Sequence, residues 1–244
     1  MRTLTMAMIA LMTISLFSCQ KKPSDSADEV AAKNNNNNNP PGNQSQWRPI
    51  RMGEMADYEL DKNSRRTSPL VNRGSATAKV VNQGGSGANA FYVISLDYDI
   101  DVTYVGGQTG QQNIDTPAYF FTDALMDELR QKKQMDLTSF KIRHLGIEDA
   151  NTLDGQSYDK CDVVEIYDVQ QGALAQGPSV IGLAESLMAD TAAATTGTMN
   201  ASVDNLVIRA RLHPSVPVMG AVQLDIQASS GGLPLKAGFD YKKR

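Results

Sequence analysis

The sequence predicts an α+β fold, built mainly from an antiparallel β-sheet or β-sandwich with one clear helix. Three observations predict it: a long alternating stretch at residues 91–105, a helical repeat at about 117–134, and a hairpin pattern at 205–227. The chain has 244 residues, of which 41% are hydrophobic and 20% charged. Such a chain can bury a core, which excludes wholesale disorder.

Residues 91–105 give the strongest strand signal. Apolar or aromatic side chains occupy every second position from Tyr92 to Tyr104, and mostly polar ones lie between them. A period of two predicts one buried and one wet face, and clean alternation favours an antiparallel sheet. Residues 76–81 are the predicted partner strand, with the glycine-rich residues 84–87 as the turn. Gly106-Gly107 is a second predicted hairpin turn.

The predicted helix begins with Thr116 as N-cap and Pro117 as its first residue, because both types are favoured there. Phe121, Leu125 and Leu129 then recur every four residues. Residues 179–189 fit either a helix or a strand, and 191–198 is predicted to be a loop. Further strands are expected at about 138–145, 161–169 and 233–241.

The C-terminal hairpin is predicted with its register. Alternating residues 205–212 and 218–227 flank the turn His213-Pro214-Ser215-Val216-Pro217. Centring the turn on Ser215 places every apolar residue opposite an apolar or small one. The predicted pairs are Leu212–Val218, Ala210–Gly220, Ile208–Val222 and Leu206–Leu224.

Residues 1–18 have the organisation of a secretory signal peptide. Arg2 is the only charge, and a mainly apolar run of about fourteen residues follows, too short to span a hydrocarbon core of about 30 Å comfortably. The run ends in Leu16-Phe17-Ser18-Cys19. This ending resembles the lipobox of bacterial lipoproteins, with an aliphatic residue three positions before the cysteine and a small residue directly before it.

The resemblance implies cleavage before Cys19, diacylation of its thiol and acylation of the new amino group, with chains such as palmitate. Two or three acyl chains on one residue hold a membrane more firmly than a single chain does. Gln20, where lipoproteins retained in the inner membrane commonly have Asp, implies the outer membrane in a host with two membranes. The alternative is an ordinary signal peptide cut by a general signal peptidase.

The sequence is predicted to comprise three segments: a signal peptide at 1–18, a low-complexity flexible tether at 19–74, and a β-rich globular domain at 75–244. The tether contains six consecutive asparagines at 34–39 and shows no sustained apolar period. One short helix is possible at 53–61. Trp47, the sole tryptophan, is expected to dock on the chain's own domain, with docking on a partner as the alternative.

Composition excludes several classes of protein. A net charge of −4 argues against a nucleic-acid binder that neutralises phosphates. Two cysteines far apart exclude a disulfide scaffold and a cysteine-based zinc site. No nucleophile-elbow, zincin or P-loop motif is present in the sequence. We therefore predict no cofactor and no catalytic residue.

The remaining candidate residues favour structural roles. His144 is predicted to be a satisfied sheet histidine, His213 a turn residue, and Cys161 a small buried residue, since aspartates near it oppose a thiolate. Asp97, Asp99 and Asp101 lie in a row on one strand face, so a solvated face is favoured over a cation site, because nothing converges the oxygens. Lys141 and Arg143 are possible partners for these carboxylates.

The leading functional hypothesis is a lipid-anchored cell-envelope protein of binding or structural type, held off the membrane by its tether. Its partners would be the membrane, through the acyl chains, and possibly an envelope protein, but no nucleic acid. An envelope hydrolase and a carbohydrate- or cation-binding module are the alternatives.

Overall fold

The computed structural model describes residues 47, 49–63, 65–86, 90–103, 106–118, 120–170, 178–196 and 203–244. These residues form ten strands and two helices. The strands are β1 (Met55–Leu60), β2 (Val71–Gly84), β3 (Phe91–Val102), β4 (Gly106–Pro117), β5 (Gln134–Asp136), β6 (Lys141–Asn151), β7 (Ser157–Tyr167), β8 (Asp204–Leu212), β9 (Ala221–Ser230) and β10 (Leu233–Lys242). The helices are α1 (Asp123–Lys132) and α2 (Ser179–Thr196). The predicted β-rich antiparallel fold is confirmed, with two helices where one was expected.

All ten strands belong to one antiparallel sheet in the order β4-β3-β2-β1-β10-β9-β8-β7-β6-β5. Except for β4 and β5, strands that follow one another in sequence are neighbours, and β1 pairs with β10, so the first and last strands meet in the middle. The two edges are β4 and β5, which are consecutive in the chain and are connected through α1.

The sheet curves around α2. This helix packs against β3 and β4 and also against β8, β9 and β10. All described side chains of α2 from Ser179 to Ala193 are buried or half-buried, on every face of the helix. A helix lying on one side of a flat sheet would keep an exposed face, so the sheet bends round α2, and the inner faces of these strands share one core.

Helix α1 begins six residues later than the sequence predicted. Thr116 and Pro117 remain paired with β3 at the end of β4. Thr122 is the N-cap instead, and its side-chain oxygen accepts a hydrogen bond from the Leu125 amide at 3.2 Å. Lys133, in the left-handed conformation, caps the other end.

Helix α2 resolves the ambiguity at 179–189 and replaces the loop predicted at 191–198 through Thr196. From Ser179 to Leu187 every side chain is buried except Glu185 and Ser186, which are half-buried. A helix enclosed on nearly all sides needs no polar face, so its sequence carries no clear amphipathic period.

The C-terminal part of the predicted tether belongs to the sheet. Residues 55–60, for which a short helix was considered, form β1, which pairs with β2 and β10. Ala56, Tyr58 and Leu60 are buried while Glu59 is exposed, so the strand has the period-two pattern that the sequence carries. The signal peptide and residues 19–46 lie outside the described residues, and the tether stays a prediction there.

The C-terminal hairpin is present, but its predicted register is wrong. Ala210 pairs with Leu224 and Ile208 with Ile226, whereas Gly220 and Val222 were expected opposite them. The turn is longer than predicted, because residues 213–220 all belong to the loop between β8 and β9. The shift is even at these two pairs, so Leu206, Ile208 and Ala210 still face the core as predicted, and so does Leu212. A bulge after Arg211 pairs Leu212 with Ala221, and Val222, which was predicted on the same face, packs in a separate cluster with Cys161.

The other predicted strands are present with longer bounds, as β2, β6, β7 and β10. Gly106 and Gly107, predicted to form a turn, are instead the first residues of β4. Within the described ranges, no helix has the length and apolarity needed to cross a membrane.

Candidate functional site

An apolar cleft opens at one end of the curved sheet. It is enclosed by the segment at residues 47–54, the connection from β4 to α1, the start of α2 and the loop at 213–220. The volume inside it that a water-sized group can occupy is about 40 Å³, which is smaller than a typical small-molecule pocket. Aromatic and aliphatic side chains dominate its walls: Trp47, Phe120, Phe121, Val216, Val218 and Met219.

Trp47 forms one wall of the cleft. Its ring lies 5.6 Å from the Phe121 ring, centroid to centroid, and its backbone N–H donates to Asp123 Oδ1 at 3.0 Å. A Cβ atom on Gly220 would be only 2.6 Å from the indole, so only glycine fits beneath it. The tryptophan docks on its own domain, as the sequence predicted.

The loop at 213–220 forms the opposite wall and is conformationally strained. Val218 has a φ of 61°, a left-handed conformation that is unfavourable for a β-branched residue. Gly220 has a φ of 68°, which glycine adopts without cost. Strain of this kind is costly and is found disproportionately at ligand sites, and here it lies in the wall of the cleft.

The loop is stabilised by its own hydrogen bonds. His213 Nδ1 accepts from the Ser215 amide at 3.2 Å and lies 2.6 Å from Ser215 Oγ. Burial lowers the pKa of His213, and the nearby Asp159 opposes this shift only in part. The histidine is therefore neutral at pH 7 and shapes the turn, as predicted for a turn residue.

The walls of the cleft are mainly apolar. Its walls offer shape, aromatic rings and few polar groups; Thr116 and Ser179 are buried, and Glu54 accepts from the Arg51 amide at 3.3 Å. The cleft can thus hold an apolar or aromatic group by burial.

A second cluster of polar residues lies under α1. Arg130 of α1 donates to both carboxylate oxygens of Asp162, at 2.9 and 2.7 Å, and His144 Nε2 lies 3.0 Å from the same carboxylate. The side chains of His144 and Asp162 are 4% and 3% exposed. His144 Nδ1 is buried and has no hydrogen-bond partner among the described residues. Because the pair is closed to solvent, it does not present a base to a substrate.

A third cluster holds the segment after β1 on the outer face of the sheet. Arg66 donates to Asp61 at 2.8 Å and to Asp225 and Asp240 at 2.5 Å each. Its stem also fills the space above Gly238, where a Cβ would approach to 2.8 Å. Burial raises the pKa of Asp240, and the guanidinium of Arg66 opposes that shift. Sequence reasoning missed this cluster, because its members are up to 179 positions apart.

The three aspartates of β3 are a solvated row, as the sequence favoured. Asp97 and Asp99 are exposed, and Asp101 lies 3.6 Å from Arg73 on the neighbouring strand. Lys141 and Arg143 were suggested as partners of these carboxylates. They instead pair with Asp168 and Glu165, near the opposite edge of the sheet from β4. Across the described ranges, no group of three or more His, Cys, Asp or Glu residues is arranged to hold a metal ion.

Cys161 is a buried structural residue. Its side chain packs with Ala150, Val216 and Val222 in a small cluster beside the main core. Burial, with Asp149 as the next contribution, raises the pKa of its thiol to about 11, so it carries almost no thiolate at neutral pH. Cys19, the predicted lipidation site, lies outside the described residues.

No protein-family model matches the chain, and comparisons with curated proteins and with solved structures find no match.

Proposed function

We propose that this protein is a lipid-anchored cell-envelope protein whose β-rich domain acts by binding an apolar group in the cleft. The proposal combines the lipobox-like Leu16-Phe17-Ser18-Cys19 with the cleft geometry. Acyl chains on Cys19 would hold the protein at the envelope membrane, the outer one in a two-membrane host. Residues 20–46 would then space the domain from the lipid surface.

The observation that carries the binding function is the apolar cleft bounded by the docked Trp47 and the strained Val218. The ligand class that such walls favour is an apolar or aromatic moiety of small size. Neither buried polar cluster is open to a substrate, and a hydrolase therefore has less support than a binding protein.

Detergent partitioning tests the anchor. The full chain expressed in a bacterial host should enter the detergent phase, and Cys19→Ala should remain as uncut precursor or enter the aqueous phase. Cys161→Ala is the matched control, because it removes the other thiol and should partition as the unmodified chain does. If Cys19→Ala fractionates as the unmodified chain does, the lipid anchor is wrong.

Fluorescence tests the cleft, because Trp47 is the sole tryptophan and lies in its wall. Titration with the apolar fluorophore 1-anilinonaphthalene-8-sulfonate should quench Trp47 saturably through energy transfer. Phe120→Ala should weaken binding by about tenfold, which corresponds to about 1.4 kcal/mol. Leu233→Ala, which removes an exposed leucine outside the cleft, should not. Unsaturable quenching, or equal affinities in both variants, would reject the binding site.

A further inference from the structure

The edge strand β4 lacks the features that usually protect the edge of a sheet. It runs for twelve residues, from Gly106 to Pro117, and pairs with β3 without a register shift. Its only charged residue is Asp115, and its only proline is the last residue. Natural edge strands are commonly kept from pairing by lysines, prolines, bulges or short length.

The opposite edge of the same sheet has these features. Strand β5 is only three residues long, and past it β6 becomes the edge. There the pairing of β6 with β7 shifts after His144 and again after Glu148, and Glu148 and Asp149 add charge. The sheet therefore has one protected and one open edge.

The open edge is accessible. Among the described residues, no backbone hydrogen bond outside the β3 ladder reaches residues 107–115. The outward-facing residues Gly107, Thr109, Gln111, Asn113 and Asp115 are all exposed. Helix α2 supports the strand from the inner face, where Ile114 is buried. The strand is thus held in an extended conformation, and no described residue covers its hydrogen-bonding edge.

We infer that β4 is a self-association surface, on which the β4 strand of a second copy adds in antiparallel orientation and continues the sheet across a two-fold axis. Main-chain hydrogen bonds would supply the affinity, as in other cases of strand addition. A two-fold contact is isologous, so β4 must be complementary to itself.

Charge and pattern make β4 self-complementary. A two-fold axis perpendicular to the sheet places the outer faces of both copies on the same side of the continued sheet. Each odd-numbered residue of β4 must then lie opposite an odd-numbered residue of the second copy. Centring the pair on Gln111 places Thr109 opposite Asn113 and Asp115 opposite Gly107 of the second copy. The one carboxylate per strand then meets a neutral residue, so no like charges oppose each other.

Cross-linking of the full chain in detergent tests the contact. Gln111→Cys places one thiol at the two-fold axis of each copy, and a short bis-maleimide should convert most of the protein to dimer. Ser75→Cys, which lies on the interior strand β2 and is also exposed, is the control and should yield at least tenfold less dimer. Cys161 is buried in both variants. Equal yields from the two variants would overturn the proposal.

Charge substitutions test the register. In the Gln111→Cys background, Thr109→Lys combined with Asn113→Lys places a lysine of one copy opposite a lysine of the other at two symmetric positions. This repulsion should reduce the yield of dimer at least fivefold. Thr109→Lys with Asn113→Glu opposes each new lysine to a new glutamate and should restore it. Positions 109 and 113 are about 13 Å apart along one strand, so the pairing forms only between copies. Circular dichroism and Trp47 fluorescence check that each variant is folded. If the two double substitutions give the same yield, the antiparallel contact is wrong.

Discussion

At the residue scale, single charged side chains connect parts of the chain that are distant in sequence. Arg66 contacts Asp61, Asp225 and Asp240, and its own side chain is only 17% exposed. One guanidinium offsets the desolvation of carboxylates on β9, β10 and the segment after β1. Since Asp240 is 3% exposed, its charge depends on that contact.

Arg66→Met should therefore lower the free energy of unfolding by about 2–4 kcal/mol, because it leaves the buried Asp240 without its counter-charge, whereas Asp225 keeps Arg211 at 3.5 Å. Urea unfolding of the full chain measures the loss. Arg73→Met is the control: its side chain is 73% exposed and 3.6 Å from Asp101, and it should cost less than about 0.5 kcal/mol. Equal losses would show that the Arg66 cluster contributes no more than a surface pair.

Glu185 is the reverse case, a carboxyl that burial destabilises. It lies half-buried on α2, and burial raises its pKa. A carboxyl whose pKa is higher in the folded than in the unfolded state costs stability when ionised. That cost is present above the folded-state pKa and disappears as the pH falls below the unfolded value of about 4.3.

Glu185→Gln should therefore stabilise the protein at pH 7, by less than about 1 kcal/mol because water still screens the half-exposed group. The gain should vanish near pH 3.5, where the carboxyl is protonated in both states. Urea melts at the two pH values measure it. Glu128→Gln, which breaks an exposed 2.6 Å pair with Lys132, should give no gain at neutral pH; a gain there as well would point to net charge as the cause.

At the element scale, the C-terminal hairpin shows what register depends on. Ile208 is buried and faces Ile226, so Ile208→Ala should cost about 2–5 kcal/mol. Arg209→Ala should cost less than about 1 kcal/mol, because that side chain is 39% exposed and 3.6 Å from Glu148. Urea unfolding compares the two, and a larger loss for Arg209→Ala would mean the faces are reversed.

A double-mutant cycle separates the observed register from the one that the sequence predicted. Ile208→Ala and Ile226→Ala should couple by at least about 0.5 kcal/mol, since they are in contact across the strands. Ile208→Ala and Val222→Ala should be additive, because Val222 packs in the separate cluster with Cys161. Coupling of Ile208 to Val222 but not to Ile226 would support the register predicted from the sequence, with its shorter turn.

Sequence patterns predicted the elements that have one wet face. Strand β3 was predicted because its outer residues, such as Asp97 and Asp99, contact water. Helix α2 stayed ambiguous because the sheet surrounds it, and β4 was missed because glycine and glutamine give no alternation of hydrophobicity. Strand β1 does alternate, but the polar residues around it led to its assignment to the tether.

The cleft could be predicted only in part. The isolated tryptophan pointed to docking, and Pro214 and Pro217 marked a turn. That these features meet depends on β1 pairing with β10 and on the loop being longer than the patterns indicated. Contacts between such distant segments are properties of topology, and local periodicity does not carry them.

At the scale of the whole molecule, α2 is the element that joins the β4 edge of the sheet to its middle strands. It contacts β3 and β4 on one side and β8, β9 and β10 on the other. Helix α1 packs against β5 and β6 at the other edge, and its Arg130 reaches Asp162 of β7. A sheet of ten strands curved around one helix should therefore lose its structure as a unit when that helix is destabilised.

Leu187→Ala tests this unity, because Leu187 is fully buried in the core of α2. It should cost about 2–5 kcal/mol and should lower the midpoints seen by Trp47 fluorescence and by far-ultraviolet circular dichroism by the same amount. Trp47 reports on the cleft end and dichroism on the whole sheet, so coincident transitions are the sign of a single cooperative unit. Met126→Ala in α1 is the comparison: Met126 is equally buried but packs where β5 and β6 end the sheet. If Leu187→Ala separates the two transitions while Met126→Ala does not, the sheet is divided at α2 and its two halves unfold independently.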